Sequence, residues 1–158
     1  MRIGSWIGLA ISSALATPIE AAPQEFFAVD VATDFLHSVH AEHAGTSPIG
    51  AVGADILTGL TWDAARAALY AVDAGNGGLY RLEPETGAST LLGFTGIGLL
   101  HGVAAHPETG ELFAIDSYSY LYRLDADDAT ATVVGGTGFS GLNGLEFDPE
   151  TGALYASY

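Results

Sequence analysis

The 158-residue chain has no cysteine and no lysine; its only basic residues are four arginines, set against 19 Asp and Glu for a formal net charge of -15. Without cysteine, disulfide frameworks, thiolate zinc sites and cysteine nucleophiles all drop out. The scattered Arg2, Arg66, Arg81 and Arg123 build no basic patch. That excludes nucleic acid as a partner, and anionic membrane surfaces with it. No apolar run reaches the roughly 20 residues of a spanning helix, so no membrane insertion is expected. Helical periodicity is also missing after residue 25. What is present is 49% hydrophobic residues, 10% aromatics and 21 glycines. Such a chain folds, as one domain, and leans towards strands and turns.

Met1-Arg2 opens an uncharged apolar run from Ile3 to Ala16, followed by small residues at Ala21-Ala22. A short basic start, an apolar stretch and A-x-A-like sites predict a secretory signal peptide over residues 1–22. The remaining chain, residues 23–158, is therefore expected to be exported, either secreted or held in the periplasm or at the cell surface.

The strongest feature is a repeat. Phe26-Phe27-Ala28-Val29-Asp30 recurs 43 residues later as Leu69-Tyr70-Ala71-Val72-Asp73 and 43 later again as Leu112-Phe113-Ala114-Ile115-Asp116. It returns after 42 more as Leu154-Tyr155-Ala156-Ser157-Tyr158. Two other columns hold the same register: Leu79-Tyr80-Arg81-Leu82 with Leu121-Tyr122-Arg123-Leu124, and the Gly59, Gly102 and Gly144 segments. The copies run over about 26–58, 59–101, 102–143 and 144–158. Each full copy holds four strand-like segments, A to D. In the third copy these are Gly102–Ala105, Leu112–Asp116, Tyr120–Leu124 and Thr130–Gly135. Pro-Glu-Thr-Gly connectors at 84–87, 107–110 and 149–152 read as turns, with Pro presetting φ and Gly accepting the left-handed conformation.

Four antiparallel strands in a unit of this length are the mark of a β-propeller blade. The fold class expected is therefore all-β, a partial propeller of about three four-stranded blades; a β-sandwich or β-helix is the alternative. The G-L-x-x-D-P-x-T-G-x-L-Y-x-x-D pattern resembles the secreted propeller repeats of the YVTN, NHL and YWTD kind, over residues 26 to 158. Propellers hold typically four to eight blades, and repeat arrays usually end in a capping unit. The expectation is thus a chain truncated at Tyr158, whose continuation supplies a final strand A. A homodimer closing a six-bladed ring is the alternative.

If strand A lines the channel, the A–B and C–D turns share one face, and the B–C and D–A connections share the other. Thr58, His101 and Asn143, each just before the glycine that opens strand A, are the candidate ligand-binding residues at that second mouth. Asp73 and Asp116, together with Asn143, are candidate ligands for a divalent cation such as calcium. The competing reading gives the recurrent aspartates, Asp30 included, to the turn backbone. Leu142-Asn143-Gly144-Leu145 is similar to the N-G-L element of the gluconolactonase-like six-bladed propellers. That resemblance implies a metal-ligand role for Asn143 in a lactone-hydrolysing site. His37, His40 and His43 alternate across a strand and cannot converge without a bend. His106 and the Asp125, Asp127 and Asp128 group read as turn residues. Gly136–Gly141 fits G-x-G-x-x-G but lacks the helix the dinucleotide fingerprint needs. No G-x-S-x-G, H-E-x-x-H or Walker pattern occurs, so no catalytic residue is assigned. The function expected is an exported binding module, whose partner is an extracellular protein, a carbohydrate or a small molecule. A metal-dependent lactonase-like hydrolase and a surface-layer or adhesion component are the alternatives.

Overall fold

A computed structural model describes residues 25–158, so the expected leader over residues 1–22 lies outside the described residues. The described residues form strands and no helix. β1 (Glu25–Asp30), β2 (Phe35–His40) and β3 (Thr46–Ala51) make a three-stranded sheet. β4 (Leu57–Asp63), β5 (Ala68–Asp73), β6 (Gly78–Leu82) and β7 (Ser89–Phe94) make a four-stranded one. β8 (Leu100–Ala105), β9 (Leu112–Asp116), β10 (Tyr120–Leu124) and β11 (Ala131–Gly136) repeat it. β12 (Gly144–Phe147) and β13 (Leu154–Ser157) pair as a hairpin. Every pairing is antiparallel between consecutive strands. This is an all-β partial propeller: two complete blades flanked by a three-stranded and a two-stranded one. The Ala-rich stretch 64–67 closes the β4–β5 hairpin.

The burial gradient follows from stacking. A sheet covered on both faces needs a continuous apolar strand, and β5, Ala-Leu-Tyr-Ala-Val-Asp, is buried at all six positions. The outermost strands β7 and β11 are mostly exposed or half-buried. Three apolar clusters fill the spaces between successive sheets. Leu36, Leu69, Ala71 and Leu82 pack with Phe27 and Val29 between the first two blades. Tyr70, Val72, Leu79, Val103, Leu112 and Ala114 lie between the two complete blades. Ala104, Ile115, Leu142, Leu145 and Phe147 join the third blade to the last hairpin. Fully buried leucines such as Leu69, Leu79 and Leu112 each contribute about 1.5–3 kcal/mol.

The inner strands approach one another closely at the repeated glycine. A Cβ on Gly59 would lie 2.7 Å from the His101 carbonyl oxygen, and one on Gly102 would lie 2.9 Å from that of Asn143. Both distances are below normal van der Waals contact, which explains why this column is glycine. The residue before it is left out of the ladder. Leu57 pairs with Asp73 and Gly59 with Val72, so Thr58 is a bulge; Leu100 pairs with Asp116 and Gly102 with Ile115, so His101 is its counterpart.

Candidate functional site

Strands A and C run towards the A–B and C–D turns, which places the B–C turns and D–A connections together at the opposite mouth. Thr58 and His101 stand there on their bulges, a feature that re-aims side chains and recurs near binding sites. Asn143 holds the corresponding place before β12. The Thr58 hydroxyl is already engaged: Oγ1 donates to the Leu100 carbonyl at 2.8 Å and so ties one blade to the next. Asn143 is exposed, and its backbone N–H donates to the Ser157 carbonyl at 2.7 Å. His101 is half-buried.

The aspartates proposed as cation ligands hold turns. Asp73 is fully buried and accepts the N–H groups of Gly75 at 2.7 Å, Asn76 at 3.1 Å and Ile56 at 3.2 Å. Asp116 accepts from the N–H groups of Tyr118 and Tyr120 at 3.0 and 2.9 Å, and from the Tyr122 hydroxyl at 2.9 Å. Asp30 accepts from Ala32 N–H and the Thr33 hydroxyl. Among the described residues, no group of three or more His, Asp or Glu side chains converges as metal ligands do. Burial, and then the Asp116 hydrogen bond, push the Tyr122 phenol up to about 12.

The opposite turns use the same device. Asp63 Oδ1 accepts from Ala65 and Arg66 N–H, and Asp148 Oδ1 from Glu150 and Thr151 N–H. His106 takes this place in the third copy, its Nδ1 accepting from Glu108 and Thr109 N–H at 3.3 Å each. Asp125 and Asp128 likewise accept N–H bonds within their hairpin tip. The bend that His40 and His43 lack on a strand is supplied by the turn, which brings their rings to 4.9 Å. His43 Nδ1 accepts the Gly45 N–H at 3.1 Å and so serves its turn. His37 lies beside Phe35, the rings tilted by 53° with centroids 6.4 Å apart.

Two features escape the sequence. The first is the apolar character of the mouth that holds Thr58, His101 and Asn143. Val31, Ile56, Phe94, Leu99, Tyr118 and Phe139 are all exposed on its loops and strand ends, Tyr118 and Phe139 to 73%. Four of its five carboxylates, Asp30, Asp34, Asp73 and Asp116, are bound to turn N–H groups, which leaves Asp55. The second is a cavity of about 580 Å³ at the other mouth, lined by Phe26, Phe27, Trp62, Glu146, Phe147 and Pro149 among others. Its one advance signal is Trp62, an aromatic that stands where the third copy has Ala105.

No protein-family model and no curated protein matches the chain. Solved structures do. The nidogen/laminin complex matches with a TM-score of 0.67 and 21% identity, over 84% of this chain and 51% of that one. An auxiliary nutrient binding protein from Bacteroides thetaiotaomicron matches at 0.62 and 19%, over 84% and 32%. A luciferin-regenerating enzyme matches at 0.57 and 16%, over 77% and 43%. The shared feature is the β-propeller fold. The chain spans between about a third and a half of the length of these structures.

Proposed function

We propose that the chain is an exported β-propeller binding module that docks an extracellular partner on the mouth formed by its B–C turns and D–A connections. The observation that carries this reading is the partition of the surface. Exposed Val31, Ile56, Phe94, Leu99, Tyr118 and Phe139 gather at that mouth, while the turns of the opposite face carry most of the unbound acids. Exposed large apolar side chains collected on one face are the raw material of an interaction site. Aromatic side chains such as Tyr118 and Phe139 are the residue types that dominate binding energy. Thr58, His101 and Asn143 sit at the centre of this mouth and supply its polar contacts. Export rests on the leader over residues 1–22. Nidogen in complex with laminin and an auxiliary nutrient binding protein share the propeller fold, which supports the same reading.

The test is cross-linking of the chain to the secreted proteins of its producing organism. Tyr118→Asp with Phe139→Asp is expected to abolish the adducts, whereas Glu108→Lys with Glu150→Lys on the other face leaves them. Loss with the second pair, or retention with the first, overturns the reading. The position of Asn143 at the propeller mouth supports a second reading, a metal-dependent hydrolase of the lactonase type. It requires lactone hydrolysis that both a chelator and Asn143→Ala remove.

A further inference from the structure

We infer that the cavity between the two complete blades, on the face of the A–B and C–D turns, binds a small zwitterion of the α-amino acid class. The ligand's carboxylate lies on Arg81 and the Tyr70 hydroxyl, and its ammonium on Asp127. The site is built wholly from the two complete blades and does not depend on the reading given for the loop mouth.

The cavity measures about 210 Å³ and is lined by Arg66, Ala68, Tyr70, Arg81, Leu92 and Asp127 among others. Pockets for drug-sized ligands run from roughly 300 to 1,000 Å³, so this one suits a smaller molecule. Tyr70 on β5 and Arg81 on β6 stand directly opposite each other and share the face turned to the third blade. The β10–β11 turn carries Asp127 and rests on β7, where a Cβ on Gly93 would meet the Asp128 carbonyl. Arg66 closes the turn end, held by Asp63 at 2.7 Å and by the Gly110 carbonyl at 2.6 Å.

The repeat shows what is particular to this place. Arg123 of the third copy corresponds to Arg81, and Glu111 pairs with it at 3.3 Å. Ala68 stands in the second copy where Glu111 stands in the third, and Arg81 has no acidic partner among the described residues. Phe27 and Phe113 hold the position of Tyr70 in the first and third copies, so packing there does not call for a hydroxyl. Tyr70 is only 4% exposed, yet its hydroxyl has no hydrogen-bond partner among the described residues. Arg66, Arg81 and Asp127 all act on that phenol electrostatically, which sets it among them. A buried hydroxyl without a partner is costly, and a ligand oxygen removes the cost.

The charge inventory selects the class. Asp63 offsets Arg66, and Asp127 bonds through its N–H alone, to Asp125. One guanidinium and one carboxylate are therefore left open. A plain anion meets Asp127 and a chain of net charge -15, and a plain cation meets Arg81. A zwitterion satisfies both ends with charge-assisted hydrogen bonds, while Ala68 and Leu92 give its side chain a small apolar wall.

Glycine, L-alanine and L-serine, titrated calorimetrically into the full chain, test this, with acetate and glucose alongside. Expected is one site per chain for the amino acids and none for acetate or glucose. Arg81→Gln and Asp127→Asn, both at exposed positions, should each weaken binding at least about tenfold, the loss of a charge-assisted bond. Tyr70→Phe should weaken it about fivefold, the loss of a neutral one. Ala68→Glu gives Arg81 the partner that Arg123 has and should abolish binding. No binding by any of the three amino acids overturns the proposal, as does binding that Arg81→Gln and Ala68→Glu leave intact. Acetate or glucose bound as tightly as alanine overturns it too, giving the cavity to plain carboxylates or to polyols.

Discussion

Among the described residues, each of nine hairpin turns contains one residue with positive φ, and these residues determine how well the blades are closed. Four are glycines, at 77, 87, 110 and 152, and five are not: Asp34, Ala44, Ala67, Ser119 and Ala129. A side chain in the left-handed region costs about 1–2 kcal/mol, partly offset on replacement by the extra unfolded-state entropy of glycine. Ala67 is exposed with φ 48°, so Ala67→Gly is expected to raise stability by about 0.5 kcal/mol, read as a small rise in Tm. Ala129 has φ 64° but is fully buried in the cluster between the complete blades, so Ala129→Gly also removes a packed methyl worth about 0.8 kcal/mol. Its Tm should fall below that of Ala67→Gly and not exceed the parent. The Pro-Glu-Thr-Gly turns announce themselves because Pro and Gly each have a conformational reason to be there. Ala44, Ala67 and Ala129 carry no such mark; they are placed by repeat register alone. His106 was legible in the same way, standing where Asp63 and Asp148 stand.

At the scale of strands, the inner glycines have the most to lose. Gly59 and Gly102 are not at positive φ, so any cost of a side chain there is steric. Gly59→Ala sets a Cβ 2.7 Å from one backbone atom and 2.9 Å from another in β8. Backbone on both sides cannot yield as a flexible side chain does, and a loss of about 1–3 kcal/mol is expected. Gly98→Ala, with nothing within 4 Å, serves as control and should leave the denaturation midpoint unchanged. Equal midpoints for the two variants contradict the close inner packing. The four-strand repeat was legible because strands A to D recur as apolar segments between turn residues, and β8 to β11 lie within a few residues of where the pattern puts them. The bulges at Thr58 and His101 were not, since nothing in a threonine or a histidine declares an unpaired ladder position. The apolar mouth was hidden for a related reason. Each exposed side chain on it stands alone in sequence, and only the alternation of turn faces collects Val31, Ile56, Leu99, Tyr118 and Phe139 on one side.

For the whole molecule the dominant quantity is the net charge of -15, carried mostly on the face opposite the apolar mouth. Its effect on stability divides by pH. Turn N–H groups hold the Asp128 and Asp148 carboxyls below their ordinary value, and the Thr33 hydroxyl and Ala32 N–H do so for Asp30. A depressed carboxyl stabilises the fold above its unfolded pKa, and that contribution is lost as pH falls through the folded one. At the other end Tyr122, pushed up to about 12 by burial and Asp116, keeps its proton while the unfolded chain releases it near the ordinary value of 10.0. Burial raises Tyr70 in the same direction. A raised group stabilises fully below its unfolded pKa and ceases to do so as pH climbs through the folded one, so alkaline unfolding should set in above about pH 10. Tm followed by circular dichroism is expected to hold a plateau around neutrality and to fall at both extremes. Tyr122→Phe deletes a titrating phenol but leaves the Asp116 turn bonds from Tyr118 and Tyr120 in place. The variant should therefore lose part of the alkaline fall and keep the acid limb. An alkaline limb identical to the parent's would assign that transition to general charge repulsion, which added salt then abolishes by screening.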